Sequence, residues 1–188
     1  HEVVPIRSLN SDRYVFAAPF KGEIAKHYFD QTITDVDKDI PAFQKYWKFN
    51  EKTGEINGSN TFLALRLDKA LRRDGLRIPT LEEAKVLDEL GKLTNRVYRD
   101  FGVVLYNDRE YNIEIGKTLV SEAKKRNLKL PLILPFRALD LRKAENNYGA
   151  ELFFIDNIDD VISGEEAQSV MSNLDYKTNS GVRRLSRG

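Results

Sequence analysis

The segment from Asp74 to Glu83, DGLRIPTLEE, constrains the fold of this chain more than any other. Gly75 is a residue that readily ends a helix, because glycine adopts the left-handed conformation after the last turn without steric cost. Pro79 fixes the backbone that follows, and Thr80 and Glu83 have the spacing of a capping box. The segment therefore predicts that one helix ends just before it and that another begins at Thr80.

Apolar periodicity on both sides supports these two helices. The first is predicted from a cap at 59–61 to Arg73, and the second from Thr80 to about Phe101. A third helix is predicted from about Asn112 to Arg126 by a stripe at helical spacing. Acidic residues after a capping Ser163 indicate one more, through about Leu174. The apolar faces comprise Leu63, Leu67, Ala70 and Leu71; Val86, Leu90, Leu93 and Val97; and Ile115, Leu119, Val120 and Ala123.

Short apolar runs between the helices predict strands. These are 14–20, a hairpin within 45–56 whose loop ends at Gly54, 102–106 and 151–155. Trp47, in the hairpin, is interpreted as a core anchor. The run Leu130–Phe136 is extended as well, but its two prolines argue against a central strand, since proline cannot donate to a ladder.

Composition excludes several classes of protein. The chain has 188 residues, 30 Lys and Arg against 29 Asp and Glu, and no Cys. It is long enough to bury a core without a metal or disulfide, and the missing thiol excludes cysteine catalysis and disulfide scaffolds. No run of 18 apolar residues or signal peptide is visible. We expect one domain over residues 1–188, with no membrane span, and the near-zero net charge gives no reason to expect a nucleic-acid partner.

The near-neutral total hides blocks of charge. Residues 117–143 carry eight Lys or Arg and two acids, whereas 151–175 carry seven acids and no Lys or Arg. Such blocks are expected to attract each other within one fold, or between subunits of a homo-oligomer.

Acidic residues suggest two metal sites. Asp35–Asp39 imitates half of a calcium loop, but Ile40 stands where glycine is required, so a solvated acidic turn is the better interpretation. Asp108 and Asp156 each follow a predicted strand. If those strands paired in parallel, the two carboxylates would share a sheet edge, as in metal-dependent phosphoryl-transfer or nuclease-type enzymes. This enzyme is the alternative function.

Two motifs in order carry a resemblance to a known family. The segment from Asp74 to Glu83 resembles the G-x-R-hydrophobic-P-T-x-x-E helix start of C-type lectin folds of the formylglycine-generating-enzyme kind. Near the end, 179–188, NSGVRRLSRG, resembles the G-V-x-R-x-x-R-G opening of the variable region in that superfamily. With 162–167, ISGEEA, and the pair Tyr176-Lys177, the order is similar to archaeal variable proteins of diversity-generating retroelements. These stretches cover about a seventh of the chain.

The resemblance implies an α+β, C-type lectin-like fold of short antiparallel strands with two or three amphipathic helices. It implies a non-enzymatic display protein, without cofactor, whose diversified C-terminal region binds a protein or cell-surface ligand. Ser186, Arg187 and Gly188 would open the binding patch, and a virion or cell surface would be the location. Because the family continues past this motif, the chain is expected to lack a C-terminal variable segment. The oxidase chemistry of the superfamily does not carry over, since that chemistry uses cysteine.

Overall fold

The computed structural model describes residues 20–40, 47–57, 61–79, 83, 99–106, 113–147, 149–155, 161–172 and 180–184. Within these ranges the α-helices are α1 (Glu23–Asp39), α2 (Thr61–Arg73), α3 (Ile113–Lys125) and α4 (Gly164–Ser172). The strands are β1 (Lys48–Asn50), β2 (Glu55–Asn57), β3 (Arg99–Tyr106), β4 (Leu132–Pro135), β5 (Leu139–Lys143), β6 (Ala150–Phe154), β7 (Ile162–Ser163) and β8 (Ser180–Arg184). A 3-10 turn, Phe136–Ala138, joins β4 to β5.

The strands form three small sheets. The largest has the order β7-β4-β3-β8, in which β8 runs parallel to β3 and the other neighbours are antiparallel. β1 pairs with β2, and β5 with β6, as separate antiparallel ribbons. The prediction of an α+β fold built from helices and short, mostly antiparallel strands is confirmed.

The local signals around α2 and the hairpin were interpreted correctly. α2 ends at Arg73, and Gly75 takes a φ of 75°. The N–H of Gly75 donates to the carbonyl of Arg72, and that of Leu76 to the carbonyl of Leu71, which is a complete Schellman motif. Gly54 likewise has a φ of 70° at the end of the β1–β2 loop. Trp47 is buried in the core at its base, as predicted.

The helix α1 was not predicted, and the acidic segment Asp35–Asp39 forms its last turns. The prediction of an acidic turn there was therefore wrong, because these residues continue the helix. The buried face of α1 includes Ala25, Tyr28 and Thr32, and Tyr28 packs with Ala70 and Leu71 of α2. Tertiary packing thus stabilises a helix whose own sequence signals are weak.

The argument against a central strand at 130–136 was also wrong. β4 pairs with β3 on one side and with β7 on the other, so it lies inside the four-stranded sheet. Its prolines do not interrupt the ladder because Pro131 precedes the strand and Pro135 is its last residue. Leu132, Ile133 and Leu134 between them are buried in the core.

The strand β3 begins earlier than predicted. The sequence placed residues up to Phe101 in the helix that starts at Thr80, but β3 begins at Arg99 and pairs there with Ser180 of β8. Before β3, the described residues of the predicted helix contain Glu83, which is helical. Residues 80–82 and 84–98 of that helix, and the predicted strand at 14–20 up to Pro19, lie outside the described residues.

The third and fourth helices confirm their predicted positions. On α3, Ile115, Leu119 and Ala123 are almost fully buried and face the core. α4 begins directly after Ser163, the predicted capping residue. The predicted strand at 151–155 corresponds to β6. The core that these elements enclose is continuous from Trp47 to Leu152 and contains the inner strands β3 and β4.

Candidate functional site

The two motifs that carry the family resemblance meet on β3. The N–H of Gly102 donates a 2.8 Å hydrogen bond to the carbonyl of Pro79, in the first motif. On β8, in the second motif, the register changes from Asp100↔Gly181 to Val104↔Arg183. Residues 101–103 of β3 therefore stand opposite Val182 alone, and the bulge that this creates contains Gly102.

Glycine at 102 permits this close approach. A Cβ atom there would lie 3.2 Å from the carbonyl oxygen of Ile78 and 3.4 Å from that of Pro79. The only sequence signal for this contact is the glycine that begins the predicted strand 102–106, since a glycine in a strand often marks a bulge or a close backbone approach. The contact itself was not predicted.

The first motif is fixed to α2 through a buried carboxylate. Asp68, with 3% of its surface exposed, accepts a 2.8 Å hydrogen bond from the N–H of Ile78 and lies 2.9 Å from Nε of Arg72. Burial raises the pKa of Asp68, while the N–H of Ile78 and the Arg72 guanidinium oppose that shift. The carboxylate thus satisfies a backbone donor directly before Pro79.

Arg77 and Glu83 form an ion pair within the first motif. The Arg77 guanidinium donates two hydrogen bonds to the Glu83 carboxylate, one of them 2.8 Å from Nη2 to Oε2. Glu83 is buried, and its hydrogen bond raises the pKa of Arg77. The sequence assigned Glu83 to a capping box, whose partner Thr80 lies outside the described residues. Planar, bidentate pairing of this kind is geometrically specific, so it fixes the position of Glu83 relative to Arg77.

A second buried charge cluster joins α2 to β5. Asp140 lies 3.3 Å from Nε of Arg66 and accepts a 2.6 Å hydrogen bond from Lys69. Arg66 also donates to the carbonyl of Leu141 at 2.6 Å and is only 5% exposed. α2 is therefore bound to β5 through Asp140 and to the segment 74–79 through Asp68, so it supports the segment that contacts β3.

The residues predicted to open the binding patch, Ser186, Arg187 and Gly188, lie outside the described residues. In the sequence one residue, Leu185, separates them from β8, whose last residue, Arg184, is in register with Leu105 of β3. Among the described strands, β8 is at one edge of its sheet. The chain therefore enters residues 185–188 from a strand whose backbone is already paired with the core strand β3.

The arrangement expected for the alternative enzyme is not formed. That hypothesis required residues 103–106 and 152–155 to pair in parallel, but β3 lies between β4 and β8, and β6 pairs with β5. Asp108 and Asp156 themselves lie outside the described residues. Across the part of the chain that the structure describes, no three His, Asp or Glu side chains converge as a metal site would require.

The blocks of opposite charge do attract each other within the fold. Arg142, in the basic block, donates a 2.5 Å hydrogen bond from Nε to Glu151, in the acidic block. Glu151 also accepts a 2.9 Å hydrogen bond from the Thr118 hydroxyl. The hydrogen bond from Arg142, and then that from Thr118, lowers the pKa of Glu151. The Arg142 guanidinium further lies over the ring of Phe153, at 4.6 Å from its centroid.

Comparisons of the chain with family models, curated proteins and solved structures found no match. Among the described helices, none combines the length and the apolar character needed to cross a membrane. A function for this chain therefore has to be argued from its own residues and their arrangement.

Proposed function

We propose that this chain is a ligand-binding display protein of the C-type lectin kind. Its C-terminal region, beginning with Ser186, Arg187 and Gly188, would be diversified to recognise variable protein or cell-surface partners. The proposal is carried by one observation: the segment around Pro79 and the strand around Val182, which resemble two motifs of the same superfamily, lie against the same stretch of β3.

The arrangement around β3 suits a display role. A variable recognition surface has to tolerate substitution without loss of the fold, so its residues should extend from an element that other residues stabilise. β8 is paired with β3 through backbone hydrogen bonds, which do not depend on particular side chains. The buried polar contacts that hold the first motif lie on α2 and on the segment after it. Changes at 186–188 would leave all of these contacts in place.

The residue types at 186–188 also fit recognition. Serine supplies an adaptable hydroxyl, and arginine supplies five N–H donors together with a planar surface for stacking. Glycine allows the chain to take backbone conformations that other residues disfavour. Recognition by such a patch would depend on shape and hydrogen-bond complementarity, with no chemical step.

A selection experiment tests the binding role. One library randomises residues 186–188, and a matched library randomises the exposed residues Lys117, Ser121 and Lys124 on α3. Both are selected against the same panel of unrelated soluble proteins. We expect binders from the first library, with melting temperatures within about 2 °C of the parent, since surface substitutions usually change stability little.

Two results would count against the proposal. Equal yields of binders from the two libraries would show that 186–188 has no special role. A broad loss of thermal stability in the first library would show that these residues belong to the fold rather than to a tolerant surface.

Diversification is tested separately, by sequencing this coding region across a natural population. We expect amino-acid differences to be concentrated from codon 186 onward, with codons 117–124 as the internal reference. A uniform distribution of differences over both regions would contradict the diversified role.

A further inference from the structure

The strand β8 has one paired side and one side that no described strand pairs with. It runs parallel to β3 over Ser180–Arg184, and it is the last strand in the order β7-β4-β3-β8. Successive residues of a strand direct their N–H and C=O groups to alternate sides, so about half of these groups in β8 point away from β3. A row of unpaired donors and acceptors of this kind is a template for pairing with another extended chain.

The sequence of this edge does not prevent such pairing. Residues 180–188 contain no proline, so every one of them can donate a backbone hydrogen bond. The extra residues of the bulge are on β3, which leaves β8 itself as a regular strand. Charge is the one protective feature that remains, and charge discourages only partners of the same sign.

The charge of the segment 180–188 is positive. It contains Arg183, Arg184 and Arg187 and no acid, and on the neighbouring strand β3 the charges of Arg99 and Asp100 cancel.

The acidic residues at the start of α4 are too far away to neutralise this edge. Glu165 and Glu166 follow β7 directly, so they lie at the opposite edge of the sheet from β8. Three strand spacings separate β7 from β8, about 14 Å, whereas charges are screened over about 8 Å at physiological ionic strength. An approaching chain therefore meets the positive charge of β8 largely uncompensated.

We propose that the ligand adds an acidic, extended segment to the outer side of β8, as a further strand of the sheet. Backbone pairing would supply affinity that is independent of the ligand's sequence, and the residues at 186–188 would supply specificity. A second copy of the chain is disfavoured on this edge, because pairing β8 with another β8 brings arginines close together. This inference rests on the proposed display role and names the kind of segment that the displayed residues would meet.

The proposal is tested by NMR titration of the amide signals with an eight-residue peptide of alternating valine and glutamate, blocked at both ends. The matched peptide is methylated at every backbone nitrogen, so it has the same charge but no N–H donor for strand pairing. We expect the first peptide to shift the signals of residues 180–184 saturably and the methylated one to bind about tenfold more weakly or less, which corresponds to about 1.4 kcal/mol. Equal affinities, or no saturable shifts, would overturn the proposal.

A third probe distinguishes an acidic strand from a nucleic acid. Single-stranded oligothymidylate of eight nucleotides carries more negative charge than the peptide and cannot pair as a β-strand. We expect it to bind more weakly than the peptide at 150 mM salt. Binding as tight as that of the peptide, with a steep dependence on salt, would identify a site for polyanions and would overturn the proposal.

Charge reversal then assigns the binding to β8. Arg183→Glu combined with Arg184→Glu should weaken binding of the glutamate peptide by about tenfold or more and should allow a valine–lysine peptide to bind instead. This gained affinity also shows that the variant is folded. Lys124→Glu combined with Arg126→Glu, at exposed positions near the end of α3, changes the net charge equally and should leave both affinities nearly unchanged. If the two double variants behave alike, net charge rather than β8 determines binding, and the proposal is wrong.

The outcomes for the edge and for the display role can be told apart. Binders from the library at 186–188 would support the display role even if no peptide pairs with β8. Peptide pairing with β8, together with a library that yields no binders, would contradict the display role alone.

Discussion

The N–H of Gly102 and the carbonyl of Pro79 form a 2.8 Å hydrogen bond that joins β3 to the segment before the second predicted helix. The bond occurs in the bulge where β3 passes Val182 of β8. A central strand therefore holds two distant segments of the sequence at one position. Support for the proposed display role depends on this contact.

Gly102→Ala should destabilise the protein by about 1–3 kcal/mol, the range for overpacking against a site that cannot easily move. The new Cβ would press on the backbone carbonyls of Ile78 and Pro79, at 3.2 and 3.4 Å. Urea unfolding measures the change. The comparison is Gly149→Ala, where φ is 70° but a Cβ meets nothing within 4 Å, so any cost there is purely conformational. If Gly102→Ala unfolds like the parent, the close approach at Gly102 does not constrain the fold, whatever the result for Gly149→Ala.

The two cations that share Asp140 should differ in their importance for stability. Arg66→Gln is expected to lower the free energy of unfolding by about 3 kcal/mol, because it leaves a buried carboxylate with one partner fewer. Lys69→Gln should cost less than about 1 kcal/mol, because the Lys69 side chain is 40% exposed and water can replace part of its contact. Chemical denaturation of both variants measures the difference. Equal losses would contradict the assignment of Arg66 as the buried partner.

What the sequence predicted well was local. Gly75 and Gly54 mark the ends of α2 and of the hairpin loop, because positive φ at these positions is a requirement of a few neighbouring residues. The stripe on α3 was predicted for the same reason, since residues three and four apart in a helix share a face.

What the sequence did not predict depends on distant residues. α1 contains Thr32, Ile33, Thr34 and Val36, β-branched residues that weaken helix propensity, and its stability comes from packing on α2. The buried pair of Arg66 and Asp140 joins positions 74 apart, so no spacing rule could find it.

The candidate sites divide in the same way. The motif at 74–83 was visible because it is continuous in sequence, and its internal Arg77–Glu83 pair spans only six positions. The groove between α1 and Arg73 was not visible, because it requires the unpredicted α1 to pack beside α2. The alternative based on Asp108 failed in its strand pairing, since the neighbours of β3 are decided by the whole sheet.

Gly116→Ala should be among the most destabilising single substitutions in α3, although alanine favours helices. A Cβ at Gly116 would overlap the ring and hydroxyl of Tyr106, which is fully buried on β3. We expect a loss of about 3 kcal/mol or more from overpacking, far above the gain of about 1 kcal/mol in helix propensity. Thermal unfolding measures it, with Ser121→Ala on the exposed face as the control. A Gly116→Ala protein as stable as the parent would show that α3 does not pack on Tyr106 in this way.

Alkaline pH should destabilise the fold through Tyr28. Burial, together with the hydrogen bond of 2.8 Å that its hydroxyl donates to Asp74, raises the pKa of Tyr28 from 10.0 to about 12. Because the unfolded chain loses this proton near pH 10 while the folded chain keeps it, the stabilisation is complete below pH 10 and falls as the pH rises to about 12. Urea unfolding between pH 8 and 12 should show this decline in the parent and a smaller one in Tyr28→Phe, which has no hydroxyl to ionise. Identical pH profiles for the two proteins would mean that Tyr28 ionises equally readily in the folded and unfolded states.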